Sequence, residues 1–308
     1  MKRNMVVLLL LALVLFLGAA CGTSAPTEEA PEQLSAQPTE QIPAEAAETI
    51  LSMGPANTEI LVALGFGDQI IAIDTFSVDI EGIAPDLPAF DMMAPDLEQI
   101  IALGPDVIIA TGMMFVDGID PFQVVSEMGI RVVHIHGAGS ASSIAEIQAD
   151  IRHIAAAMGV EEVGEAIIVQ MEWEIAKIRA LVAGITEPRT VYFEIAAPPF
   201  MYSFGHGVFL HEMIELIGAV NVFADQDAWF FVADEAVPEA NPDVILTNVG
   251  YVDEPVADIL ARPGWETISA VENGRVYFID PDTSSRPNHH IVQALWEMVR
   301  AVYPELFG

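Results

Sequence analysis

From Ile50 onward the chain alternates short runs of β-branched and aliphatic residues with longer stretches whose apolar positions recur every three or four residues. The first rhythm is that of strands buried on both faces and the second that of amphipathic helices, so their alternation predicts an α/β fold on parallel sheets. Strands are predicted at 50–53, 70–74, 107–111 and 132–135. Asn57 is placed to cap a helix over 58–64 that stops at Gly65, Asp96 one over 97–103, and Ser143 one over 144–158 that stops at Gly159. In the last of these Ile144, Ile147, Ile151, Ile154 and Met158 recur at helical spacing and are assigned to the core.

A second set repeats the scheme, with strands at 190–195, 244–247 and 276–279 and helices over 208–217 and 288–303. Between the sets, Val163, Ala166, Ile167, Met171, Ile175, Ile178 and Val182 mark one long helix over 160–183. The economical architecture is two Rossmann-like α/β lobes joined by one long helix: an N-terminal lobe over 49–159, a connecting helix within 160–187 and a C-terminal lobe over 188–308. The lobes echo each other. Gly104-Pro-Asp-Val-Ile-Ile-Ala-Thr111 recurs as Asn241-Pro-Asp-Val-Ile-Leu-Thr247, and Glu98 and Glu235 each stand eight residues before the aspartate. A ligand is expected in the crevice between such lobes.

Ahead of this region, Lys2 and Arg3 precede an unbroken apolar run from Met5 to Leu17 and the small residues Gly18, Ala19 and Ala20, the layout of an export signal over 1–20. The run is shorter than the roughly 20 residues of a membrane-spanning helix. Cys21, the single cysteine, follows at once; an internal disulfide and a thiolate metal cluster are therefore excluded. Its position suits a lipidated N-terminus, with an ordinary signal-peptidase site at Gly18 and Ala20 as the alternative. Residues 21–48 are rich in Pro, Glu, Ser and Thr and lack aromatics, a composition that predicts a disordered tether between a membrane anchor and the folded part.

The balance of 45 acidic against 11 basic residues, net −34, makes nucleic acid and anionic lipid surfaces poor partners. Contact with the membrane is expected through the lipid alone, and the chain is expected to act as a monomer. A nucleophile elbow, a His-Glu-x-x-His helix, a phosphate loop and a dinucleotide fingerprint are all missing from the sequence, which argues against an enzyme.

Three segments, Ser52-Met-Gly-Pro-Ala-Asn-Thr-Glu-Ile-Leu-Val-Ala-Leu-Gly65, Pro95-Asp-Leu-Glu-Gln-Ile-Ile-Ala-Leu-Gly-Pro-Asp-Val-Ile-Ile-Ala110 and Arg262-Pro-Gly-Trp-Glu-Thr-Ile-Ser-Ala-Val-Glu-Asn-Gly-Arg-Val-Tyr-Phe-Ile279, resemble the helical-backbone class of periplasmic binding proteins. These serve ABC importers of cobalamin, ferric siderophores and haem. The resemblance implies an extracytoplasmic solute-binding protein, held at the cell membrane by lipidated Cys21, that captures a metal chelate as cargo and delivers it to the transmembrane subunits of a permease. It further implies that Glu98 and Glu215, one on each lobe, pair with permease arginines, and that Phe76, Phe200, Trp229 and Arg286 line the ligand. Some family members carry a large aromatic before Asp-Leu-Glu; Met92 and Met93 stand there instead, and haem-binding members can draw an axial methionine from this loop.

From the chemistry of the residues alone, the loop methionines Met92, Met93 and Met113, with Tyr202, His206 in Phe204-Gly-His-Gly207, and Tyr251, offer soft or planar contacts to a metal complex. Met93, His206 and Tyr251 are the possible axial contacts; no resident cofactor is expected. Each of these side chains also has a structural alternative, a gap-filling methionine or a solvated loop residue. His134 and His136 alternate along a strand, and His289 and His290 open the last helix, where a cleft-edge role and simple solvation are both open. A receptor for a bare transition-metal ion, recruiting His134, His136 and His206, is the alternative function. Arg286 is the clearest cation for the cleft, expected to hold one acidic substituent of a weakly charged ligand.

Overall fold

The structure, a computed structural model, describes residues 48–115, 119–136 and 141–308. The predicted export signal, Cys21 and all but the last residue of the predicted tether lie outside the described residues. In the N-terminal half the elements are β1 (Ile50–Ser52), α1 (Pro55–Ala63), β2 (Ile70–Asp74), β3 (Ala89–Phe90), α2 (Leu97–Leu103), β4 (Val107–Thr111), α3 (Gln123–Glu127), β5 (Arg131–Ile135) and α4 (Ile144–Ala157). The long helix α5 (Glu161–Val182) follows. The C-terminal half contains β6 (Thr190–Glu194), β7 (Tyr202–Phe204), α6 (Phe209–Leu216), β8 (Val220–Asn221), β9 (Trp229–Phe231), α7 (Ala236–Ala240) and β10 (Val244–Thr247). It closes with α8 (Pro255–Leu260), α9 (Ser269–Glu272), β11 (Val276–Phe278), α10 (Pro281–Ser285) and α11 (Ile291–Val302).

Two parallel sheets result, one in the order β3-β2-β1-β4-β5 and one in the order β11-β10-β6-β8. Both are doubly wound, with the direction of winding reversing between β1 and β4 and between β6 and β10. This is the architecture of two Rossmann-like lobes joined by one long helix. The strands β4 and β10 are buried along their whole length, which explains their unbroken aliphatic runs.

The sequence echo has a structural cause. Thr49 donates from N and Oγ1 to Asp106 Oδ2, both at 2.8 Å, and Thr190 donates likewise to Asp243 Oδ2, both at 2.9 Å. In each lobe the helix before the Pro-Asp pair ends in a left-handed residue, Gly104 (φ 64) or Asn241 (φ 45). The repeated motif thus ties the central strand of each lobe to its neighbour at the amino edge of the sheet, and it makes β1 correspond to β6 and β4 to β10.

Helix α5 buries Ile168, Met171, Ile175, Ile178 and Val182, each worth about 1.5–3 kcal/mol. These residues belong to one apolar cluster that runs from Ile50, Val107 and Ile147 in one lobe to Val191, Val244 and Leu295 in the other. The shared core is reinforced by polar contacts between lobes. Glu212 on α6 accepts the Ile144 N–H at 2.8 Å at the start of α4, and Phe209 N donates to Ala141 O at 3.3 Å. The Trp296 indole of α11 donates to Glu174 of α5 at 2.8 Å.

The caps at Asp96 and Ser143 accept from Gln99 N and Glu146 N as the sequence predicts. Asn57 does not cap. Helix α1 starts earlier, at Pro55, because Gly54 adopts φ 106 and Asp74 Oδ2 accepts its N–H at 2.8 Å. Asn57 is buried inside the helix and donates back to Met53 O. The last helix begins at Ile291, three residues later than predicted, because Arg286 to His290 form the junction between lobes.

Candidate functional site

In doubly wound sheets, ligands bind beyond the carboxyl ends of the strands where the winding reverses. Here that region holds a cavity of about 400 Å³. Gly54, Pro55 and Ala56 reach it from the end of β1, Thr111 and Met113 from the end of β4, Phe76 from beyond β2, and Met92 from beyond β3. Ser285, Arg286 and Pro287 enter from the other lobe, from the end of α10 and the segment that follows it. The lining is mostly apolar, and both lobes contribute.

A buried polar network sets the N-terminal wall. Asp74 is fully buried at the end of β2; its carboxylate accepts from Gly54 N (2.8 Å), Phe76 N (2.8 Å) and Ser77 Oγ (2.6 Å). One side chain therefore fixes both the start of α1 and the loop that presents Phe76, which is 61% exposed. Glycine is favoured at position 54, since its φ of 106 is one that L side chains rarely adopt and a Cβ there would crowd Thr111 Cβ at 3.2 Å. The sequence offered an acidic residue at a strand end and no sign that it was buried.

Of the ten expected ligand contacts, Phe76, Met92, Met113 and Arg286 line this cavity. Met92 is buried, so it is part of the wall, whereas Met113 is exposed. Met93 is exposed outside the lining, its N–H turned to Asp91 Oδ1 at 2.8 Å. Phe200, 69% exposed, sits on the loop that follows β6, and Tyr202 opens β7 beside it. Tyr251, on the loop after β10, accepts the Ala197 N–H at 2.9 Å through its hydroxyl, so it pins the Phe200 loop.

The expectations for Trp229 and His206 need correction. Trp229 pairs with Phe204, the member of β7 farther from the β6 carboxyl end, and stacks edge-on to it at 5.7 Å. The cleft end of the antiparallel β7–β9 pair instead carries Phe231, opposite Tyr202, with ring centroids 4.2 Å apart. His206 lies farther along the same pair and faces Asp227 Oδ1 at 3.6 Å, outside the cavity lining. Its flanking glycines have a backbone reason: a Cβ on Gly205 would fall 1.9 Å from Gln226 O. The Phe204-Gly-His-Gly207 motif is thus a close crossing of strands and brings no histidine to the cavity.

Arg286 reaches the cleft already engaged. Its Nη1 meets Glu59 Oε1 of α1 at 2.6 Å and its Nη2 meets Asp282 Oδ1 at 2.7 Å, while Asn288 Nδ2 holds the other Glu59 oxygen. It is a tie between lobes and does not stand ready for an acidic substituent. His134 pairs with Asp120 at 3.3 Å and His136 is exposed; with His206 on the other lobe, the three histidines do not converge. Among the described residues no group of three or more His, Cys, Asp or Glu side chains is arranged to hold a metal ion.

Glu98 is exposed in the first turn of α2, which feeds β4. Under the correspondence of β4 with β10, its counterpart is Glu235, exposed at the start of α7. Glu215 does not match: it lies on α6, the helix that corresponds to α1, and faces His211 Nε2 at 3.4 Å.

Outside the cleft one ion cluster stands out. Arg262 is forked onto Glu194 at 2.5 and 2.9 Å and also meets Asp258 at 2.8 Å. Burial pushes the Glu194 carboxyl above its ordinary range, with the Arg262 guanidinium opposing. Glu194 ends β6, so the cluster anchors the loop that carries Phe200.

Two doubly wound lobes sharing one core, with an apolar cleft between them, define a receptor for a small solute. The chain belongs to the periplasmic binding protein family, whose pattern it matches over residues 50–283. A relative from Bacillus subtilis (strain 168), the uncharacterized ABC transporter substrate-binding lipoprotein YvrC, is 30% identical over 84% of this chain and 81% of its own. The vitamin B12-binding protein of Vibrio cholerae is 25% identical, covering 81% of this chain and 87% of its own. Among solved structures, the periplasmic haem-binding protein RhuT from Roseiflexus sp. RS-1, in apo form, superposes with a TM-score of 0.72 at 25% identity, over 85% of this chain and all of that one.

Proposed function

We propose that this chain is the extracytoplasmic solute-binding lipoprotein of an ABC importer. It captures a metal chelate (a corrinoid, haem or a ferric siderophore) and hands it to the permease, acting as a monomer and without catalysis. The observation that carries this reading is the apolar cavity at the winding reversal of the N-terminal lobe, lined by Phe76, Met92 and Met113 from that lobe and by Ser285 to Pro287 from the other. A flat, rigid complex suits such walls: aromatic faces supply area, and methionines adapt to an irregular outline. The rim residues Phe200, Tyr202 and Phe231 extend the same surface. Support from relatives is consistent with it, since those named bind vitamin B12 or haem or serve as ABC substrate-binding lipoproteins.

In this reading lipidated Cys21 anchors the chain to the membrane, residues 21–48 let the lobes stand off it, and Glu98 and Glu235 meet basic residues of the permease. Titrating the purified chain with cobalamin, haem, a ferric hydroxamate and a ferric catecholate, followed by tryptophan quenching, tests the proposal. Saturable one-to-one binding of at least one chelate is expected, and failure of all of them to bind would overturn it.

A further inference from the structure

We infer that Glu59 sets the charge selectivity of the cleft: by pairing Arg286 across the lobe junction it leaves the ligand surface without an available cation, so the site takes uncharged or cationic metal complexes and rejects polyanionic ones. The inference rests on the reading of this cavity as a chelate site. Among the described residues, Arg286 is the only cationic side chain in the cavity lining. Two carboxylates already occupy both arms of its guanidinium, Glu59 at 2.6 Å from the other lobe and Asp282 at 2.7 Å from α10. The cross-lobe pair is largely sequestered, with side-chain exposures of 18% for Arg286 and 12% for Glu59. Asn288, fully buried, completes the grip on the second Glu59 oxygen.

An anionic ligand group would have to compete with Asp282, whose side chain is 64% exposed, or displace Glu59, which would leave a sequestered carboxylate with the Asn288 amide alone. Truncating or displacing one partner of such a pair lowers affinity by roughly 100-fold or more. At the amino end of α1, where N–H groups attract anions, the Gly54 N–H is already taken by the buried Asp74 carboxylate. Nor can another cation among the described residues substitute. Arg131, Arg152, Lys177, Arg189 and Arg262 are paired elsewhere, and Arg179, Arg275 and Arg300 lie outside the cavity lining. Two carboxylates, Glu59 and Asp282, are held by the one arginine, so the pairing leaves an excess of negative charge.

The test uses chelates paired by scaffold and differing in charge: cyanocobalamin against its carboxylic-acid hydrolysis product, haem dimethyl ester against haem, and a ferric trihydroxamate against a ferric triscatecholate. Each is titrated by tryptophan quenching into the wild-type chain, Glu59→Gln and Asp282→Asn, with far-UV circular dichroism checking that each variant folds. In whichever pair binds, the less anionic member should bind about 100-fold more tightly. Glu59→Gln, which releases Arg286, should narrow that ratio by about 10-fold. Asp282→Asn keeps the contact between lobes intact and should narrow it in the same direction by less. Equal or tighter binding of the more anionic member by wild type, or a ratio unchanged in both variants, would overturn the inference while leaving the chelate reading intact. Binding of no probe would overturn both.

Discussion

Replacing Arg262 with alanine is the most severe single change the structure predicts outside the cleft. The guanidinium is forked onto Glu194 at 2.5 and 2.9 Å, and the Glu194 side chain is 1% exposed. Removing one partner of a buried pair and stranding the other typically costs about 3–5 kcal/mol. The charge contribution can be bounded independently. A stranded Glu194 will take up a proton, and protonating a carboxyl of ordinary value 4.5 at pH 7 costs about 3.4 kcal/mol. Loss of the stacking on Trp265, 4.7 Å from the guanidinium, adds to this. Asp258, half exposed, contributes under about 1 kcal/mol, so Asp258→Asn should be mild. The sign of the pH effect follows. A carboxyl whose folded pKa is raised contributes stability below its unfolded value and loses it as pH rises. The deficit of Arg262→Ala should therefore be smaller at pH 5 than at pH 7, by less than about 2.7 kcal/mol because burial raises Glu194 in the wild type as well. Urea unfolding of wild type and variant at both pH values measures it. A deficit under about 1 kcal/mol at pH 7, or one that does not change with pH, would refute the buried-charge argument.

Replacing Cys21 with serine should release the chain from the membrane fraction after a salt wash; retention would contradict a lipid anchor. Glu98→Ala with Glu235→Ala should abolish uptake while leaving solution affinity within about 10-fold, and Glu215→Ala should leave uptake intact. His289 is pushed down from 6.5 to about 3 by burial, with the adjacent His290 adding to the effect. Its neutral form is favoured in the folded state, so the stability it contributes is present above 6.5 and is lost as pH falls toward 3. Unfolding free energies should fall by about 2 kcal/mol from this group between pH 7 and pH 5, and His289→Gln should remove that part of the slope.

The elements that local chemistry determines were legible in the sequence. Fully buried parallel strands such as 107–111 and 244–247 read as aliphatic runs, and the caps at Asp96 and Ser143 depend on residues only three positions away. The Pro-Asp echo was visible too, although its purpose, the strand tie through Thr49 and Thr190, required the pairing of strands. Contacts between distant positions were not legible. Helix α1 starts at Pro55 because Asp74, twenty residues on, accepts from Gly54 N. Glu59 looked like an ordinary helix glutamate because its partner, Arg286, lies 227 residues away. The short strands β7, β8 and β9 carry too few residues for a period of two to show, so Phe231 was passed over for Trp229 and His206 was drawn to the cleft. The Pro-Asp echo already paired Glu98 with Glu235 in the sequence, and sheet order places Glu215 on the helix that corresponds to α1.

The central claim, capture of an intact metal chelate by this cleft, is tested most directly by native mass spectrometry of the chain purified from its own host, read beside its visible absorbance. The account predicts a one-to-one complex whose added mass is that of a whole corrinoid, haem or ferric siderophore, with the matching absorption band. An added mass equal to a bare metal ion, or to an organic molecule without metal, would contradict it.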